Sequence, residues 1–161
     1  MEFYGLEECK LDASGRLKLP IQFMDSFKSH GETLVLYCLP EGAIAVYPLN
    51  VWEEMRSDLS LKTENLIHQI SGNLTLRRQL RRFGSMSLML KISNQGRLSL
   101  PGPFREFASL PVGELCIVAG VELGVEIWNK AKWEAEQKLI QAHIMSKGDH
   151  QMSADLDLSQ D

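Results

Sequence analysis

Two segments of this chain place an arginine directly after a glycine at the end of a polar turn. They read Leu11-Asp12-Ala13-Ser14-Gly15-Arg16-Leu17-Lys18-Leu19-Pro20 and Ile92-Ser93-Asn94-Gln95-Gly96-Arg97-Leu98-Ser99-Leu100-Pro101. A guanidinium is a planar fork of donors that pairs with a guanine edge through O6 and N7 or clamps a phosphate. Lys10, Lys18 and Lys91, with the loop side chains of Ser14 and Gln95 and the turn amides, are suited to positioning a DNA backbone. Arg16, Arg97 and these three lysines set five cations against one acid, Asp12. Asp12 is expected to hold the Arg16 guanidinium by a cross-strand ion pair. Ser93 stands in its place beside Arg97, so the two tips should contribute unequally. The ordinary alternative is that each arginine merely solvates a tight turn. Retention of Gly-Arg-Leu-x-Leu-Pro in both copies favours the DNA-contacting reading.

A second basic feature is Arg77-Arg78-Gln79-Leu80-Arg81-Arg82. On a helix, Arg77 with Arg81 and Arg78 with Arg82 line adjacent rows. Like charges so placed need counter-ions, either phosphates or acids across a subunit seam, and both options stay open. Catalysis finds no support. The four histidines share no ligand spacing on one helix, and no phosphate loop, dinucleotide fingerprint or nucleophile elbow is present. No enzyme activity, metal, cofactor or small-molecule substrate is expected. Cys9, Cys38 and Cys116 have no paired spacing, and each falls on an apolar residue of the sister copy (Leu90, Ala119 and Val35), so they read as small hydrophobes.

The elements that must carry these residues are duplicated. The two segments lie 81 positions apart, and the offset is expected to hold without a gap: Phe23 to Phe104, Leu34 to Leu115, Val46 to Ile127, Tyr47 to Trp128, Trp52 to Trp133. Gly15 and Gly96 close three-residue hairpin loops that require positive φ. That register sets Asp12 opposite Arg16, Leu11 opposite Leu17 and Lys10 opposite Lys18. Leu11, Leu17 and Leu19 then face a core, and the charged residues face out. Pro20 closes the strand, and a short helix follows. Strands are predicted at 33–38 and 43–48, with counterparts at 113–119 and 124–128. Helices should start after Asn50 and Asn129, lie near 63–71, and run from a cap at Asn73 to a stop at Gly84. Trp52 and Trp133 read as core. The organisation expected is repeat one over 5–49, a helical linker over 50–85, repeat two over 86–129, a helix over 130–146 and a disordered acidic tail over 147–161.

The net charge of −4 argues against nucleic acid until it is located. Asp149, Asp155, Asp157 and Asp161 carry all of it, which leaves residues 1–148 neutral and able to hold positive patches. With no signal segment and no long apolar run, the chain is expected to be soluble and cytoplasmic, with no membrane partner.

These residues together resemble the MraZ family, whose members join two AbrB-like (SpoVT-AbrB) repeats. The similarity rests on Leu11–Pro20 with Ile92–Pro101, Val46 to Trp52, the Arg77–Arg82 helix, and Glu126-Ile127-Trp128 followed by Trp133, across roughly residues 4–145. The resemblance implies a β-rich α+β fold: two fused swapped-hairpin β-barrel repeats with pseudo-two-fold symmetry, each followed by helices. It also implies a ring-shaped homo-oligomer that binds tandem G-rich repeats in double-stranded DNA upstream of a bacterial division and cell-wall gene cluster. Such a protein is a nucleoid-associated regulator, usually a repressor. The family turn reads Asp-x-x-x-Arg; Asp12…Arg16 matches it, and Ser93…Arg97 keeps only the arginine. The alternative is an antitoxin-like interaction module whose basic tips bind an acidic protein.

Overall fold

In a computed structural model, which describes residues 2–57 and 63–159, each repeat lends its first strand to the other. The elements are β1 (Leu6–Lys10), β2 (Arg16–Lys18), α1 (Ile21–Ser29), β3 (Thr33–Cys38), β4 (Ile44–Pro48), α2 (Leu49–Ser57), α3 (Thr63–Gln69) with a 3-10 turn at Ile70–Gly72, and α4 (Leu74–Ser85). The second half repeats the order: β5 (Ser87–Lys91), β6 (Arg97–Ser99), α5 (Gly102–Ala108), β7 (Leu115–Gly120), β8 (Val125–Asn129) and α6 (Lys130–Ser159).

Six strands form one antiparallel sheet in the order β1-β7-β8-β4-β3-β5, and β2 pairs only with β6 in a separate ribbon. β1 thus pairs with the second repeat's β7, and β5 with the first repeat's β3. The fold is α+β, as expected. The sheet is open, however, with β1 and β5 at its two edges, so these pairings close no barrel.

Alternation along the strands explains the layering. On one sheet face Leu34, Leu36, Ile44, Val46, Cys116, Val118, Val125 and Ile127 meet Leu17 and Leu98 from the ribbon, with Phe23 and Phe27 of α1. Leu17 pairs with Leu98, Ile44 pairs with Ile127, and all four side chains are fully buried. Full burial of each contributes about 1.5–3 kcal/mol. On the other face Val35, Tyr37, Ala45 and Tyr47 pack with Trp52 of α2 and Phe83 of α4. The Tyr37 ring lies 5.1 Å from Trp52 and 5.6 Å from Phe83.

The repeat is not gapless. Leu36 pairs with Val46, and the equivalent pair is Val118 with Ile127, so β3 maps onto β7 with an offset of 82 while β4 maps onto β8 with 81. One extra residue sits between α5 and β7, and one fewer in the β7–β8 turn. Without that compensation β8 would sit one residue out of step and turn Val125 and Ile127 away from the core. Leu115, assigned to Leu34 by the simple offset, is indeed 52% exposed, whereas Cys116 fills the Leu34 position in the core. Cys38 correspondingly matches Gly120, not Ala119. Cys38 and Cys116 are buried and Cys9 is half-buried, all three as free thiols.

Several boundaries shift. α2 begins at Leu49, so Asn50 lies inside the helix and does not cap it. Asn73 caps α4 as expected, accepting from the Leu76 amide at 2.9 Å, but the helix runs through Gly84 to Ser85. Its Tyr37-facing side holds the last turn in place despite the flexible residue. Residues 130–161 form a unit separate from 1–129. In it α6 continues past residue 146 to Ser159. Asp161 lies outside the described residues. Trp133 is half-buried, not a core residue like Trp52. Among the described residues no helix is long and apolar enough to cross a membrane.

Candidate nucleic-acid interface

The two turns share one backbone design. The Asp12 amide donates to the Arg16 carbonyl at 2.9 Å and the Gly15 amide to the Asp12 carbonyl at 3.0 Å. In the second copy Ser93 donates to Arg97 at 3.0 Å and Gly96 to Ser93 at 2.9 Å. Gly15 and Gly96 both have φ of +77°, a conformation that suits glycine. Neither site has room for a side chain. A methyl on Gly15 would meet Arg105 Nε at 2.8 Å, and one on Gly96 would run into Met24 Sδ.

Their side chains differ as the sequence predicts. Asp12 Oδ1 accepts from the amides of Ser14 at 2.8 Å and Arg16 at 2.9 Å, and Oδ2 lies 3.4 Å from Arg16 Nε. The Arg16 amide bond, the Ser14 amide and the guanidinium charges of Arg16 and Arg97 hold this carboxyl below its ordinary pKa. Ser93 Oγ accepts from the Arg97 amide at 3.0 Å, which replaces the backbone bond and brings no charge. Arg16 is tethered; among the described residues no acid forms an ion pair with Arg97.

The expected hairpin register survives for two pairs, Asp12 with Arg16 and Leu11 with Leu17. Leu11 bridges Leu17, but beyond them β1 leaves for β7, with the Leu11 amide on the Glu114 carbonyl at 3.0 Å. Lys10 pairs with Leu115 across that ladder, and among the described residues it forms no ladder pair with Lys18. Lys18 faces Arg97 instead, and Arg16 faces Ser99. The two turns are knitted together, since Leu19 donates to Gly96 and Leu100 to Gly15, at 3.0 and 2.9 Å. What the sequence presents as two separate tips is one short ribbon. Leu17 and Leu98 point inward, and Arg16, Lys18, Arg97 and Ser99 share the outer face. Ser14 and Gln95 are exposed on the flanking turns.

Lys10 and Lys91 end the two edge strands and lie off the ribbon. Lys10 and Lys18 line one cleft with Glu7 and Glu8. Lys91 Nζ is 3.6 Å from Glu32 Oε2, so its charge is partly balanced by an exposed acid.

The arginine helix is divided between two duties. Arg77 donates from Nη1 to the carbonyls of Ile70 and Ser71, at 2.7 and 3.0 Å, and ends the preceding 3-10 turn. Arg82 lies over the Tyr37 ring, 5.6 Å from its centroid. Only Arg78 and Arg81 are exposed, and among the described residues no acid forms an ion pair with any of the four. Sequence reasoning missed two features: the Lys18–Arg97 pairing and the closeness of Arg105 to Gly15. The second was accessible, because the offset of 81 sets Arg105 against Met24.

A family model described as "MraZ protein, putative antitoxin-like" matches residues 3–71 and 89–155. The chain is 34% identical over 140 residues to a protein named transcriptional regulator MraZ in Dehalococcoides mccartyi, covering 86% of this chain and 90% of the relative. Proteins of the same name in Syntrophobacter fumaroxidans and Pediococcus pentosaceus are 35% and 34% identical. These alignments cover 85% of each chain for the first, and 82% of this chain and 84% of the relative for the second.

Proposed function

This chain belongs to the MraZ family, and from that premise we propose that it is a transcriptional regulator that grips duplex DNA through the outer face of the β2–β6 ribbon. The observation that carries the reading is the convergence of Arg16, Lys18 and Arg97 on the ribbon's outer face, where among the described residues Asp12 is the one acid that pairs with them. A two-stranded ribbon is narrow enough for the major groove. Arg16, held by Asp12, is the better candidate for a guanine edge, where a fixed fork is needed. Arg97, Lys18, Ser14 and Gln95 contact the backbone.

One ribbon makes too few contacts for useful specificity. We therefore extend the reading to a ring-shaped homo-oligomer on tandem G-rich repeats upstream of a division and cell-wall gene cluster, acting in the cytoplasm at the nucleoid, chiefly as a repressor. Tandem boxes matched to subunit spacing raise affinity through effective concentration. Unpaired edges at β1 and β5, with Leu6, Leu88 and Met89 exposed along them, support self-association. Arg78 and Arg81 provide a secondary basic face, and Lys10 and Lys91 an outlying one.

Fluorescence anisotropy with a G-rich tandem-repeat duplex tests the core of the reading. Arg16→Ala and Arg97→Ala should each weaken binding, Arg16→Ala more so, by about 1–3 kcal/mol per lost base contact. Undiminished affinity in the double variant would exclude the ribbon. Binding of an acidic protein instead of DNA, abolished by the same substitutions, would favour the antitoxin-like alternative.

A further inference from the structure

Arg105 takes no part in the ribbon's outer face, yet it lies against the first turn. It sits on α5, and the offset of 81 makes it the counterpart of Met24 on α1. Each of the two side chains packs on the other repeat's glycine: Arg105 on Gly15 and Met24 on Gly96. The same backbone turn is therefore backed by a guanidinium in one copy and by a thioether in the other.

Arg105 is also bonded into the turn. Its Nε donates to the Leu100 carbonyl at 3.0 Å, and the Leu100 amide donates to the Gly15 carbonyl at 2.9 Å. The inner edge of the guanidinium is thereby fixed. Glu106 lines the same shallow cleft, but among the described residues no acid forms an ion pair with Arg105. Support of the turn does not require a charge, since methionine suffices at the sister turn.

We infer that Arg105 is a phosphate-binding residue of the DNA interface, so that the first turn grips with Arg16 and Arg105 together while the second uses Arg97 and Lys18. The inference rests on the ribbon reading above. Phosphate is the partner, not a base edge, because Arg105 is anchored at Nε behind the buried Gly15 and leaves only its terminal nitrogens free. Those suit a charge-assisted pair with backbone oxygens.

The test compares Arg105→Met, which copies the sister turn, with Arg105→Lys and the wild type. Each is titrated across salt concentrations with the G-rich duplex and with a shuffled duplex of equal length, after circular dichroism has established folding. A lost phosphate contact weakens both duplexes alike, by about tenfold, and flattens the slope of log affinity against log salt by about 0.9 for each chain engaged. Arg105→Lys, which keeps the charge without the Nε anchor, should retain most of the slope. If Arg105→Met leaves the slope unchanged while Arg16→Ala still weakens binding, Arg105 only supports the turn and the inference falls. Weaker binding to the G-rich duplex alone would overturn it too. A double Arg16→Ala/Arg97→Ala variant with full affinity would remove the ribbon reading instead, and this inference with it.

Discussion

Asp12 serves two purposes that separate with pH. Its Oδ1 completes the turn by accepting two amides, and its charge holds Arg16. Because its folded pKa is lowered, its ionised form stabilises the fold at every pH above the ordinary carboxylate range. That contribution is lost as pH falls through the lower folded value. Asp12→Asn keeps an acceptor and removes the charge. It should therefore be less stable than wild type near neutrality, with the difference closing as pH falls below the lowered folded value, as read by urea titration at neutral and acid pH. A difference that persisted in acid would assign the loss to hydrogen-bond geometry. The thiols make a contrasting case. Burial pushes Cys9 up to about 11 and Cys116 up to about 12, and Cys116 donates to the Cys9 carbonyl at 3.3 Å. Both are protonated at neutral pH, which fits the apolar role that their sister positions suggest.

The ribbon succeeds as an element because of its underside. Leu17 and Leu98 face each other, fully buried, and every outward cation on β2 and β6 is set by that pair. Leu98→Ala should cost about 2–5 kcal/mol in chemical denaturation and should loosen Arg16 and Arg97 together. If stability fell while DNA affinity of the folded fraction stayed constant, the arginines would be positioned by their turns alone. The turns themselves were legible in the sequence. Glycine at the end of each three-residue loop, an acid four residues before Arg16 and alternating leucines are local signals, and each has its structural counterpart. The pairing was not. A hairpin written in sequence implies that its arms stay together, and here they part after Leu11–Leu17 because β7 and β3 offer longer ladders. The offset misled for a similar reason. Two compensating one-residue changes around β7 leave both ends of the repeat aligned, so only strand register exposes them.

For the whole molecule, the exchange of β1 and β5 means that neither repeat owns a complete sheet. Residues 1–85 and 86–161 made as separate chains should each lack a cooperative thermal transition as monomers, and mixing them should restore one. A stable, monomeric first fragment would show that the exchange is dispensable. The same crossing has a consequence during synthesis. Among the described strands the ladder partner of β1 is β7, so Leu6–Lys10 cannot dock there until Gly120 has been translated. At about 5–20 residues per second, the nascent strand waits roughly 6–20 s beside the ribosome. Throughout that interval Leu6 and Cys9 are open to capture by a chaperone, or by the β7 of a neighbour whose own β1 has not yet docked.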